Sequence, residues 1–270
     1  MLLQLLFVLV AIIIGARVGG IGLGILGGLG LAVLTFVFGL QPTAPPIDVM
    51  LMIVAVIAAA SCMQAAGGLD LMVKWAEKIL RKNPHHITLL SPFVTYFFTF
   101  FAGTGHVAYS VLPVIAEVAK DTGIRPERPL GIAVIASQQA ITASPISAAT
   151  VAMLSMLAGY NISLFDILKI SIPCTLAGVL LGALYSMKVG KELKDDPEYQ
   201  RRLAAGEISG DGYHTTEVAS HGKALTSVIL FLAATIGIVL FGSIDGLRPT
   251  FTTAQGEVQM EMSHIIEVLM

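Results

Sequence analysis

Charged residues are scarce in this chain of 270 residues. Asp, Glu, Lys and Arg together make up 13% of it, about half of the fraction that is typical of a soluble domain. Hydrophobic residues account for 55%, and the mean hydropathy is +0.82. So few charged side chains cannot cover a water-facing surface, and we therefore expect lipid to be the solvent for most of the chain.

The net charge, the few cysteines and the N-terminal sequence argue against further classes of protein. The net charge of −2 gives no reason to expect a nucleic-acid partner. The two cysteines, Cys62 and Cys174, lie inside apolar runs without CxxC spacing, which favours packing over a disulfide framework. The apolar N-terminus has no basic segment before it and no cleavage site after it, so we expect a retained span rather than a signal peptide.

Long apolar runs predict an all-α polytopic membrane protein. A helix needs roughly 20 apolar residues to cross a bilayer. The five apolar runs given below and one interrupted segment together lead us to expect about six spanning helices. A further helix is predicted to start near Glu261, close to Met270, so we expect residues 1–270 to be a single, truncated transmembrane domain. The apolar runs are 1–16, 18–40, 49–68, 167–187 and 224–241.

Residues 69–86 differ from these runs, because apolar and charged side chains alternate there with helical spacing. Met72 and Ile79 fall on one face, Lys74 and Arg81 on the other, and Trp75 suits the depth of the lipid headgroups. The pattern predicts an amphipathic helix in the membrane interface that serves as a cytoplasmic connector. A role in membrane targeting or regulation is the alternative.

The distribution of basic residues predicts the orientation. Cytoplasmic loops are enriched in Lys and Arg, and a periplasmic N-terminus places 14 of the 16 basic residues inside, all except Lys169 and Arg248. Residues 188–223 then form a cytoplasmic loop with six basic and seven acidic residues. The Gly-rich end of this loop favours a flexible linker.

Two segments are too short to be ordinary spans. Residues 86–102 and 106–119 are joined by Gly103-Thr104-Gly105, and arms of this length reach about 21–26 Å. Because the charge pattern places both outer ends on one side, we expect a re-entrant hairpin, with two tight full spans as the alternative.

The second interruption is a proline between two short apolar helices, 129–142 and 146–159. Pro145 removes a backbone donor, and the residue before a proline is pushed out of helical geometry. We therefore expect one crossing helix that is broken at mid-depth. Ile146 should begin its second part, with Ser144 as the N-cap.

Irregular backbone at membrane depth is tolerated where it lines a cavity, and interrupted segments indicate a transporter's binding site. Hydroxyls that only bond their own helix are the alternative. With no Lys or Arg at either break, an anion would be held by backbone N–H groups and helix N-termini. His106 could carry a coupling proton or stay neutral. The candidate substrate-binding residues are Thr104, Gly105, His106, Gln138, Thr142, Ser144, Pro145 and Ser147.

Four stretches of the sequence are distinctive. They are GARVGGIGLGILGGLG at 15–30, QAAGGLDLMVKWAEKILRKNP at 64–84, AGTGHVAYSVLPVIAEVAKDTGIRPERP at 102–129 and ITASPISAA at 141–149. In these stretches the chain resembles the anaerobic C4-dicarboxylate transporter (Dcu) family of bacteria. The resemblance covers most of residues 1–205 and continues weakly near 247–251.

This resemblance implies exchange or uptake of fumarate, succinate, malate and aspartate across the bacterial inner membrane, during fumarate respiration and with protons as a candidate coupling ion. It implies a fold in which a re-entrant hairpin and a broken helix are repeated in inverted form, and this chain would be the first half. No cofactor, metal or nucleic acid is expected, the lipid bilayer is the expected surrounding, and a homo-oligomer stays open.

Three other functions are alternatives to a carrier. A channel needs a filter of carbonyls or charges, and the sequence has no such run or acidic ring. A membrane enzyme needs catalytic groups such as HExxH or paired Asp at membrane depth, and none is present, so no enzymatic activity is expected. A sensor acting through the loop 188–223 remains the third alternative.

Overall fold

The computed structural model describes residues 2–19, 21–41, 44–45, 47–160, 162–205, 221–253 and 256–270. The chain divides into two compact units, Met1–Pro46 and Ile47–Met270. The first unit contains α1 (Leu2–Val18) and α2 (Ile21–Phe36). The second contains α3 (Ile47–Ala65), α4 (Gly68–Lys82), α5 (Ile87–Ala102), α6 (His106–Asp121), α7 (Glu127–Ala143), α8 (Ala148–Met156), α9 (Leu164–Ser186), α10 (Pro197–Ala204), α11 (His221–Ser243), β1 (Thr250–Thr253), β2 (Gly256–Gln259) and α12 (Met262–Leu269).

In the first unit, two apolar helices pack against each other. The span predicted for residues 18–40 is shorter in the structure, because Gly19 and Gly39 adopt φ values of +70° and +69° outside the two ends of α2. Such left-handed conformations suit glycine and interrupt a helix. With 16 residues, α2 is about 24 Å long, less than the roughly 30 Å of a hydrocarbon core.

Within the described part of the second unit, three helices are long and apolar enough to cross a membrane: Ile47–Ala65, Leu164–Ser186 and His221–Gly242. They correspond to three of the predicted apolar runs, so the sequence pattern placed these helices correctly. α7 packs between α5 and α9. Contacts between helices thus join α3–α9, α11 and α12 into one bundle that contains the two interrupted segments.

The amphipathic segment forms α4, as predicted, but its apolar face is covered by protein. Leu71, Ala76 and Leu80 are buried, and α4 packs on α6 and α11. At its far end Arg81 pairs with Glu117 of α6 at 2.9 Å. The hydrogen bond with Glu117 raises the pKa of the Arg81 guanidinium above its ordinary value. The apolar stripe therefore serves mainly to dock α4 on the bundle.

The first part of the loop after α9 is docked, contrary to the expected flexible linker. Arg125 donates to Asp196 at 2.8 Å, and Arg128 to Glu192 at 2.6 Å. Arg128 also donates to the carbonyl oxygens of residues 189 and 190. We call these contacts between the start of α7 and residues 189–196 the clasp. The mixed charges of this loop contributed to the prediction of a flexible linker, but in this part of it they pair with opposite charges from another segment of the chain.

The all-α expectation misses one small element. β1 and β2 form an antiparallel hairpin in which Thr250 is opposite Gln259 and Thr253 is opposite Gly256. The helix expected near Glu261 is present as α12, which packs on α3 and α11. Apart from this hairpin, all regular elements in the described part of the chain are helices.

Candidate functional site

The first interruption is a tight helical hairpin. α5 ends at Ala102, and Gly103 adopts a left-handed φ of +66° while its N–H donates to the Thr99 carbonyl at 2.9 Å. α6 begins at His106 and packs back on α5. A glycine is favoured at this position because other residues rarely adopt the left-handed conformation. The helical hairpin predicted around Gly103-Thr104-Gly105 is therefore present.

The second interruption is the predicted break at the proline. Ser144 is extended, with ψ of 131°, as the residue before a proline should be. The N–H of Ser147 bonds the Ser144 carbonyl at 3.4 Å and closes a turn over Pro145 and Ile146. This turn moves the start of the second helix to Ala148 instead of Ile146.

The N-cap of α8 is Ser147, and the assignment of this role to Ser144 was wrong. The Thr150 N–H donates to Ser147 Oγ at 3.2 Å, and Ser147 Oγ also lies 3.0 Å from Thr150 Oγ1. A capping side chain satisfies an orphan donor in the first turn of a helix. Ser144 cannot do so, because the turn over Pro145 and Ile146 separates it from α8.

The two interruptions touch each other. A Cβ built on Gly103 would lie 2.8 Å from Ile146 Cγ1 and 3.2 Å from the Ile146 carbonyl oxygen. One built on Gly105 would lie 3.1 Å from Gln138 Nε2. The tip of the hairpin therefore packs directly on the broken helix, and the absence of side chains at both glycines permits this approach.

A cleft of about 460 Å³ opens beside this contact, within the range of small-molecule sites. α3 forms its opposite wall. All of its described lining side chains are uncharged, and they are Ile53, Val56, Ile57, Ala60, Ser61, Gln64, Ala102, Gly103, Thr104, Ile146, Ala148 and Val151.

The predicted site residues are placed unevenly around this cleft. Thr104 lines it, whereas Gln138 and Thr142 are exposed on α7. Ser144, Pro145 and Ser147 are buried at the break. His106 begins α6, and its side chain lies outside the described part of the structure. The fold thus brings the hairpin tip and the break together, with Thr104 facing the open space.

Sequence reasoning missed the contribution of α3. Ser61 and Gln64 line the cleft from its last turns. Their signal was weak but present, since they are polar residues in an otherwise apolar run. The run suggested a span and gave no indication that one of its faces borders the interrupted segments.

Two buried hydroxyls near the interruptions lack a hydrogen-bond partner in the described part of the chain. Ser144 Oγ lies at the break, and Thr99 Oγ1 lies one turn before Gly103. A buried polar atom without a partner costs about 1–3 kcal/mol, so such atoms call for an explanation. A bound polar ligand or water would satisfy them.

The electrostatic character of the site comes from the backbone. α6 and α8 both begin beside the cleft, where Thr104 and Ala148 line it. A helix N-terminus carries about half a positive charge and suits anions. Among the described residues, no group of three His, Cys, Asp or Glu side chains could hold a metal ion. The arrangement is suited to a small anion held without a cation.

Comparison with known proteins decides the family. Residues 1–270 match the sequence model of a protein family whose description is "Anaerobic c4-dicarboxylate membrane transporter". The chain belongs to this family. No solved structure matches it. The helical fold with apolar helices of spanning length, described above, agrees with a membrane transporter.

Three relatives illustrate the similarity. The C4-dicarboxylate transporter DcuA of Escherichia coli is 50% identical over 246 residues, which are 91% of this chain and 56% of the relative. The anaerobic C4-dicarboxylate transporter DcuB of Escherichia coli is 42% identical over 277 residues, 99% of this chain and 61% of the relative. DcuA of Wolinella succinogenes is 49% identical over 240 residues, which are 89% of this chain and 55% of the relative. The chain thus spans little more than half the length of these transporters.

Proposed function

We propose that this chain forms part of a secondary carrier for C4-dicarboxylates, namely fumarate, succinate, malate and aspartate. One observation carries the proposal: two backbone interruptions meet at an uncharged cleft in a member of a C4-dicarboxylate transporter family. Interrupted helices that line a cavity are the usual sites of secondary transporters. The relatives are named as C4-dicarboxylate transporters.

The proposed site binds one carboxylate of the solute between the hairpin tip and the break. Thr104 and Ser144 donate to it through their hydroxyls, together with N–H groups at the start of α6 and α8. Ser144 has a buried hydroxyl that the described protein does not use, and Thr104 lines the cleft. The second carboxylate is assigned to the remainder of the longer carrier, in the inverted-repeat arrangement expected for this fold.

The other site residues have secondary roles in this proposal. Gln138 supports the hairpin tip at Gly105, and Thr142 accepts a bond from Thr150 Oγ1 at its carbonyl, at 3.4 Å. Pro145 creates the break and Ser147 fixes the start of α8. His106 is the candidate for handling a coupling proton, since it begins α6 next to the hairpin tip.

The proposed topology has six spans and a re-entrant hairpin, with the N-terminus in the periplasm of a bacterium and the carrier in its inner membrane. Residues 69–86 and 188–223 are cytoplasmic in this arrangement. It is supported by the pairing of Arg81 with Glu117 and of Arg125 with Asp196, since these contacts gather the ends of α4 and α6, the start of α7 and the loop after α9. A homo-oligomer is compatible with it.

Substitution of Ser144 tests the site. Ser144→Ala removes a bond to a charged ligand, worth about 1.5–3 kcal/mol, so we expect succinate to bind about 10- to 150-fold more weakly. Succinate binding is measured on the chain in lipid nanodiscs. Ser147→Ala should change affinity less and instead lower stability by about 1 kcal/mol, because it removes the helix cap.

Ser171→Ala is the matched control. Ser171 Oγ is also buried without a partner in the described part of the chain, but it lies within α9, outside both interruptions. Its removal should leave succinate affinity unchanged. Normal affinity of Ser144→Ala, with normal expression, would mean that the break is a packing kink and that the site lies elsewhere.

A further inference from the structure

One face of α3 forms the wall of the cleft opposite the two interruptions. The residues on this face follow the i, i+3, i+4, i+7 pattern that is expected for one side of a helix. The face is apolar at Ile53, Val56, Ile57 and Ala60, and it becomes polar at its end with Ser61 and Gln64. A solute in the cleft would therefore meet an apolar wall with a polar end.

The two polar residues of this face differ in what they can offer a ligand. The Ser61 hydroxyl already donates to the Ile57 carbonyl in its own helix, at 2.8 Å. The Gln64 side chain is exposed in the cleft, and its amide carries two N–H donors and a carbonyl acceptor. Gln64 is thus the side chain on this wall whose position and chemistry suit a polar ligand.

We propose that Gln64 is a specificity-determining residue that donates its Nε2–H to a carboxylate of the bound solute, while the apolar part of the same face packs on the solute's carbon chain. This inference rests on the proposed function and assigns α3 a role in the same site. A neutral donor suits this place, since a buried cation would be costly at membrane depth. Thr104 and Gln64 then contact the solute from opposite walls.

The chain contains a natural control for this inference. Cys62 lies two residues before Gln64 on the same helix and is also exposed. It lines a different cleft, which is formed with residues of α11 and α12 such as Phe231 and Leu269. Two residues turn a helix by about 200°, so the two side chains share a helix but not a cavity.

Thiol labelling in the presence of succinate provides the test. Three versions of the chain, each with one cysteine, are placed in nanodiscs: Cys62 retained with Cys174→Ala, and Gln64→Cys or Thr104→Cys in a Cys62→Ala, Cys174→Ala background. We expect saturating succinate to slow labelling at positions 64 and 104 at least tenfold and to leave Cys62 unchanged.

Each outcome separates the inference from the function on which it rests. Protection at position 104 without protection at position 64 overturns the role of Gln64 and leaves the site standing. Absence of protection at both positions overturns the proposed function for this chain. Equal protection at all three positions, Cys62 included, indicates a global change in structure and also overturns the inference.

Binding measurements on two further variants add an independent readout. Gln64→Leu should weaken succinate binding about 10- to 150-fold, since a hydrogen bond to a charged group is lost. Gln64→Glu should weaken it at least as much, because it places a like charge beside a carboxylate. Both variants should fold normally, since position 64 is exposed. Unchanged affinity in the two variants would overturn the proposal.

Discussion

At the scale of single residues, Gly103 is subject to two separate constraints. Its φ of +66° disfavours any side chain, and a Cβ would also lie 2.8 Å from Ile146 Cγ1. Gly123 shares the first constraint, with φ of +72°, but a Cβ there would meet nothing within 4 Å. Comparing the two glycines therefore separates the cost of the backbone conformation from the cost of the contact between the two interruptions.

We predict that Gly103→Ala destabilises the chain clearly more than Gly123→Ala. Both variants should lose about 1–2 kcal/mol from the left-handed conformation, and only Gly103→Ala also forces the hairpin tip away from the break. Thermal unfolding in detergent measures both. Equal losses would indicate that the hairpin tip and Ile146 are not in contact.

The sequence indicated the two interruptions at this scale but not the role of each residue. The glycines at the hairpin and the proline at the break predict irregular backbone, because the conformational preferences of these residues alone disfavour a continuous helix. The cap could not be chosen in the same way, because Ser144 and Ser147 both stand near the proline and only the turn over residues 145–146 selects Ser147. The role of Gln64 depends on distant contacts, which a single sequence does not reveal.

At the scale of elements, α5 and α7 are aligned by hydroxyl bonds. Ser91 Oγ donates to the Pro129 carbonyl at 3.2 Å, and one turn later Thr95 Oγ1 lies 3.0 Å from the Ala133 carbonyl. The next hydroxyl in this row, Thr99, has no partner in the described structure. The row of bonds thus ends one turn before the hairpin tip.

We predict that Thr95→Val and Thr99→Val affect stability differently, although both replace a buried hydroxyl by a methyl group. Thr95→Val should lose about 0.6 kcal/mol, the average for bonds between membrane helices, and Thr99→Val should lose nothing. Unfolding free energies from a denaturing detergent titration provide the measurement. An equal or larger loss for Thr99→Val would show that its hydroxyl does have a structural partner.

Two carboxylates at the start of α10, Asp196 and Glu198, give this short helix a dependence on pH. The pKa of Asp196 lies below its ordinary value, chiefly through the Tyr199 N–H and also through Arg125. Bonds from Arg201 and Arg202 lower the pKa of Glu198 from 4.5 to about 2. Because the folded pKa values are depressed, the stabilisation is complete above the ordinary values and is lost as the pH falls through the folded ones.

We therefore predict that α10 opens between about pH 4.5 and pH 2. Amide hydrogen exchange in residues 197–204, corrected for the intrinsic effect of pH on exchange, measures the opening. Asp196→Asn keeps an N-cap acceptor but not the charge, so the opening of α10 in this variant should depend less on pH. Full protection of α10 at pH 2.5 would refute the role of the carboxylates.

Sequence patterns predicted elements well where the signal is local. The helices of spanning length, the amphipathic helix α4 and the two arms of the hairpin can each be predicted from residues that are close together in the sequence. The docking of α4 through Leu71 and Leu80, and the pairing of Arg128 with Glu192, depend on chain segments far apart in sequence. The flexible-linker prediction was wrong for residues 189–196 for this reason, and residues 206–220 of the same loop lie outside the described part of the chain.

At the scale of the whole molecule, the basic residues and the carrier proposal support one arrangement. If the loop after α9 is cytoplasmic, the clasp places the start of α7 on the same side, and the hairpin α5–α6 both leaves and returns there. The broken helix then crosses once, with the cleft between the two ends. A carrier requires such a site, which each side of the membrane can reach in turn.

The last prediction concerns the orientation of the chain. With 14 of 16 basic residues assigned to the cytoplasm, the bias of Lys and Arg predicts a periplasmic N-terminus. Cysteines are introduced singly at Gln41 and at Ala205, both exposed, in a background of Cys62→Ala and Cys174→Ala. An impermeant thiol reagent added to intact cells should label position 41 at once and position 205 only after permeabilisation. The reverse order would invert the topology and move residues 188–223 to the periplasm, whereas labelling of both positions in intact cells would indicate two orientations in the membrane.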